Sequence, residues 1–65
     1  MQVDVEQEED GRWIAEVEAV PGALAYGSTR GEAIARVEAL VLRALADRLE
    51  NGEPAPELGG FFAAA

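Results

Sequence analysis

Carboxylates are the only side chains here numerous enough to suggest chemistry. The 65 residues hold 13 Asp and Glu, 5 Arg, no Lys, no His and no Cys, with one serine, Ser28, and one threonine, Thr29. Nucleophile–base pairs of the Ser–His or Cys–His kind cannot be built from this set, and zinc sites made of Cys and His are excluded with them. Carboxylates alone can hold a divalent cation such as Mg²⁺ through oxygen, and Asp4, Glu6, Asp10 and Glu16 are the set to consider. Such a site needs its carboxylates to converge in a cleft. The local pattern puts Asp4, Glu6 and Glu16 on an open surface and Asp10 in a turn, so we expect no enzyme, no metal and no cofactor. Carboxylates also set charge. A formal charge of -8 repels phosphate backbones, serves solubility and steers a basic partner inward.

The elements that carry these groups can be read from periodicity. Over residues 1–8, Val3 and Val5 alternate with Gln2, Asp4, Glu6 and Glu8, which is the period of a half-buried strand. Glu9-Asp10-Gly11 is a hairpin signal. A second strand follows over 12–19, with Trp13, Ala15, Val17 and Ala19 on one face and Arg12, Ile14, Glu16 and Glu18 on the other. Pro21 lacks an N–H and fixes its φ, so the ladder must stop or bulge there, with Gly22 as the permissive neighbour. Residues 23–26 form a short third strand, Leu24 and Tyr26 on one face and alanines on the other.

Thr29 with Glu32 three residues on is a capping box that starts a helix over 30–51. Ile34, Val37, Val41, Leu45 and Leu49 recur along it at three to four residues, the spacing of an apolar stripe. Leu40 and Leu42 lie off that stripe and suggest a second, weaker apolar face. Asn51-Gly52 ends the helix. Residues 53–56, with Pro54 and Pro56, are a linker, and 57–65 are either a tail or a fourth, edge strand. The expected fold is α+β in a single domain over 1–65: a three-stranded antiparallel meander, one long helix across one face, and the optional fourth strand. The face bearing Asp4, Glu6, Ile14, Glu16 and Glu18 stays uncovered.

Size sets a further condition. A core of this length rarely stabilises a fold by more than about 3–5 kcal/mol, and disulfides and metals are absent as aids. Self-association or partner binding is the remaining stabiliser, and a homodimer or larger homo-oligomer is expected. Leu40, Leu42, Phe61 and Phe62 are the candidates for that contact. The acidic N-terminus is unlike a signal peptide, and no apolar run approaches a membrane span of about 20 residues. The expected location is the cytoplasm.

Asp10-Gly11, Trp13, Ala15-Glu16-Val17, Pro21-Gly22, Gly27, Thr29 and Glu32-Ala33 together resemble the pattern of the HicB-like antitoxin family over residues 1–55. The spacing of the whole set carries the resemblance. Glu18, Ala19-Val20 and Ala23 depart from it, standing where the family usually has proline, an acidic–apolar pair and cysteine. The resemblance implies a partial ribonuclease-H-like fold. It also implies an antitoxin that binds a small basic HicA-type toxin and occludes the surface with which that toxin binds and cleaves messenger RNA. The C-terminal DNA-binding domain of many members is not expected in this chain, nor is direct nucleic-acid binding. Asp4, Glu6, Asp10, Ile14, Glu16, Glu18, Pro21 and Gly22 are the expected partner-binding residues. The alternative is a self-associating structural or regulatory module with no cognate toxin. The apolar end, Phe61 to Ala65, resembles a degradation signal, in keeping with the short lifetimes typical of antitoxins.

Overall fold

A computed structural model describes residues 1–59 and Phe62. Three strands, β1 (Asp4–Gln7), β2 (Trp13–Glu16) and β3 (Leu24–Gly27), precede one helix, α1 (Arg30–Glu50), and a single 3-10 turn at Pro56–Leu58. The strands form one antiparallel meander in the order β1-β2-β3. The α+β class and the strand–strand–strand–helix order are as the periodicity implies. Among the described residues there is no fourth strand. Residues 57–59 belong to the 3-10 turn and its end, and the rest of the expected edge strand, apart from Phe62, lies outside the described residues.

The first two strands are shorter than the alternation suggests, and the third keeps its four residues but starts one later, for a backbone reason. At the first hairpin, Gly11 N–H donates to Glu8 O at 3.0 Å and Glu8 N–H to Arg12 O at 2.7 Å. Gly11 then takes φ 91°, a bulge position in the left-handed region that suits glycine. After β2 the ladder ends in two successive turns. Val20 N–H donates to Val17 O at 3.1 Å, and Ala23 N–H to Val20 O at 3.0 Å. Pro21 with Gly22 at φ 83° supplies the proline and positive φ that a type II turn requires. The first turn reverses the alternation, so Val20 is buried and Ala19 exposed, where the period-two reading has Ala19 inward.

The helix starts on the expected cap. Glu32 N–H donates to Thr29 Oγ1 at 3.1 Å, and Glu32 Oε1 accepts from Ser28 N–H at 3.0 Å, so the return bond falls one residue before the cap. At the other end Gly52 N–H donates to Leu49 O and Glu53 N–H to Arg48 O, the paired closure that leaves glycine in the left-handed region.

The core lies between α1 and one face of the sheet. It consists of Ala15, Val17, Val20 and Ala23 against Ala33, Val37, Val41 and Leu45, with Val3, Val5, Trp13, Ala25, Ala44, Ala55 and Leu58 packed around it. Of the expected stripe, Val37, Val41 and Leu45 are buried, while Ile34 is half-buried and Leu49 exposed, with Ala33 taking the place of Ile34 at its start. Helix and sheet meet most closely at Gly27, where a Cβ would sit 2.5 Å from the Ala33 nitrogen. The segment after the helix folds back: Arg48 Nη1 lies 2.9 Å from both Glu57 carboxylate oxygens, and Leu58 packs against the core.

Candidate protein-binding face

The face of the sheet away from α1 is built by register. Asp4 pairs with Glu16 and Glu6 with Ile14 across β1 and β2, while Glu16 pairs with Leu24 and Ile14 with Tyr26 across β2 and β3. Side chains directly opposite share a face. The result is a grid of two rows, Asp4–Glu16–Leu24 and Glu6–Ile14–Tyr26. Five of the six residues are exposed and Ile14, at the centre, is half-buried. Asp4, Glu6, Ile14, Glu16 and Leu24, with Val5, line a shallow depression.

Charge divides the grid. Its β1 and β2 side carries Asp4, Glu6 and Glu16. Like charges directly opposite, as Asp4 and Glu16 are, destabilise a sheet. The β3 side is apolar, Leu24 and Tyr26 being 40% and 39% exposed. The Arg12 guanidinium lies over the Tyr26 ring, 4.7 Å from its centroid, a favourable placement for a cation.

Four expected partner residues, Asp4, Glu6, Ile14 and Glu16, are therefore brought together. Asp10 is not with them. It sits in the first hairpin, where Arg12 N–H donates to Asp10 Oδ1 at 3.0 Å and Arg12 Nε to Oδ2 at 2.7 Å. The Arg12 backbone N–H, then its guanidinium, hold the Asp10 carboxyl below its usual range, so its charge is already answered within the hairpin. Glu18, Pro21 and Gly22 lie in the β2–β3 connection, at the opposite end of the strands from Asp10. They flank the grid without belonging to it.

The expected oligomer residues also separate. Leu40 and Leu42 are two positions apart, or about 200° around a helix, so they lie on different flanks and form no common face. Leu42 lines a groove with Met1, Val3 and Leu58. Leu40 is four residues from Arg36, whose Nη1 donates to the Tyr26 carbonyl at 2.9 Å, and so lies on the β3 side. Phe62 is exposed, and Phe61 is outside the described residues.

Leu24, Tyr26 and Arg12 are the functional candidates that the sequence reading left out. The signal was present. Ala23, Ala25 and Gly27 are small enough to lie under a helix, and parity then sends Leu24 and Tyr26 to the open face.

Among the described residues, no group of three His, Cys, Asp or Glu side chains is placed to hold a metal ion, and no helix is long and apolar enough to cross a membrane. No family model, curated protein or solved structure matches the chain.

Proposed function

We propose that this chain is a HicB-like antitoxin domain of the cytoplasm. Its open sheet face would bind a small basic HicA-type ribonuclease and cover that toxin's RNA-binding surface. The observation that carries this reading is the acidic half of the grid. Asp4 and Glu16 are held directly opposite one another, with Glu6 on the neighbouring row, on a face that no other element among the described residues covers. In the isolated domain this juxtaposition is unfavourable. A basic surface removes the repulsion on docking, while Ile14 supplies apolar contact at the centre. Occlusion needs only burial and charge complementarity, in keeping with a chain that has no His, Cys or Lys.

The test is inhibition of messenger-RNA cleavage by a purified HicA-type ribonuclease titrated with this chain. We expect stoichiometric inhibition that weakens as salt is added. The double variant Glu6→Arg, Glu16→Arg should lose inhibition while keeping its circular dichroism spectrum. Undiminished inhibition by that variant at low salt would remove the face from the mechanism, and no inhibition by the unaltered chain would remove the toxin.

A further inference from the structure

The two outer edges of the sheet differ, and the difference points to a second partner. Val17 N–H donates to the Ala23 carbonyl at 3.0 Å. Backbone groups in an antiparallel ladder alternate between the two sides. Ala25 therefore faces β2, and the N–H and C=O groups of Leu24 and Tyr26 point outward. The bond from Arg36 to the Tyr26 carbonyl agrees, since that donor comes from outside the sheet. A carbonyl oxygen has two lone pairs, so this one can accept a second bond.

We infer that the β3 edge pairs with the β3 edge of a second copy of this chain, antiparallel and centred on Ala25. Leu24 of one copy then exchanges backbone bonds with Tyr26 of the other, twice over. The same pairing sets Leu24 against Tyr26 across the dyad on the open face, an aliphatic–aromatic cross-strand pair that covers two exposed apolar side chains.

Electrostatics selects this edge for self-pairing. Two copies of a chain with charge -8 must meet where the negative charge is lowest. The β1 edge, Asp4–Gln7, carries Asp4 and Glu6, so two such edges repel. The β3 edge, Leu24–Gly27, carries no charge. Beside it runs the flank of α1 defined by Arg36, Leu40, Arg43 and Asp47, spaced four, three and four residues apart on one side of the helix. With Glu32, which pairs with Arg36 at 3.1 Å, that flank has two cations and two anions and no net charge, with Leu40 between the arginines. Two-fold symmetry makes neighbouring helices antiparallel, so two uncharged edges and two flanks of balanced charge meet. The acidic half of the open face stays clear, and a dimer would offer two of them.

Sedimentation equilibrium from micromolar to millimolar chain tests this without any toxin, and so independently of the antitoxin reading. The expected mass is twice the 6.9 kDa of one chain. Leu24→Pro removes an outward N–H and leaves the β2–β3 ladder its Ala25 bonds. Leu40→Glu leaves the strand untouched and adds an anion to the flank. Each should run as one chain with unchanged circular dichroism. If Leu24→Pro unfolds, Leu40→Glu alone decides. A one-chain mass throughout the concentration range, or a two-chain mass that Leu40→Glu retains, overturns the proposal.

Discussion

The two faces of this sheet are built from alternate residues of the same strands, yet among the described residues only one has structure resting on it. Beneath α1 the side chains at the third strand are small, Ala23 just before it, Ala25 and finally Gly27, where helix and strand backbones nearly touch, and Trp13, directly opposite Gly27, packs beside the core. On the open face they are long, charged or aromatic, and the largest apolar ones sit toward β3. Along β3, side-chain size on the covered face is limited by the nearness of the helix. Among the described residues no element packs on the other face, so its chemistry is available for recognition. The lesson is that Ile14, Leu24 and Tyr26 should matter little to folding, whereas residues of no chemical interest should matter greatly.

The sharpest way to break that contrast is Gly27→Val. Its Cβ would meet the Ala33 backbone, which cannot rotate aside, so the cost lies at the upper end of the roughly 1–3 kcal/mol of ordinary overpacking. That matches the whole stability expected of a domain this size, so the variant should show unfolded circular dichroism at 25 °C. A folded Gly27→Val protein would mean that the helix is not seated where the covered face requires.

Two leucines sharpen the comparison on equal chemistry. Leu45 is buried and Leu24 is not. At concentrations where the chain is monomeric, Leu45→Ala should cost about 2–5 kcal/mol, read as a large fall in urea midpoint or outright unfolding, and Leu24→Ala about 0.5 kcal/mol or less. Equal losses would show the open face to be covered after all.

The smallest expected effect concerns acid. The Glu57 carboxyl is held below its ordinary 4.5, first by its own backbone N–H and then by Arg48. A carboxyl depressed in the folded state stabilises fully above the unfolded value and loses that contribution as the pH falls through the folded one. The melting temperature of the unaltered chain should therefore fall more steeply below about pH 4.5 than that of Glu57→Gln. Identical acid limbs would detach this segment from the helix it is seen to clasp.

Much of this was legible in the sequence, because it is local. Thr29 and Glu32 mark the helix start, Asn51-Gly52 its end, and Val3-Asp4-Val5-Glu6 assigns β1 its two faces without reference to anything distant. The reading failed where two local rules compete. Alternation carries Ala19 inward, but the turns set by Pro21-Gly22 take the chain out of the ladder at Val17, and Val20 is buried instead. It failed also where pairing decides neighbours. Leu24 and Tyr26 join Ile14 and Glu16 only through the β2–β3 register, and Ala33 rather than Ile34 begins the buried stripe of α1, where Gly27 lets the helix approach.

The sequence by itself determined the strand order, the long helix, the acidic excess and the lack of histidine, cysteine and lysine, because composition, caps and turns act over a few residues. Only the tertiary structure decided which side chains stand together. It gathered Asp4, Glu6, Ile14 and Glu16 with Leu24 and Tyr26, left Asp10 bound to Arg12, set Leu40 and Leu42 on different flanks and turned the outward backbone groups of β3 to an uncharged edge. The physical reason is that register and helix seating are set by contacts between segments distant in the chain, and no window of neighbouring residues contains them.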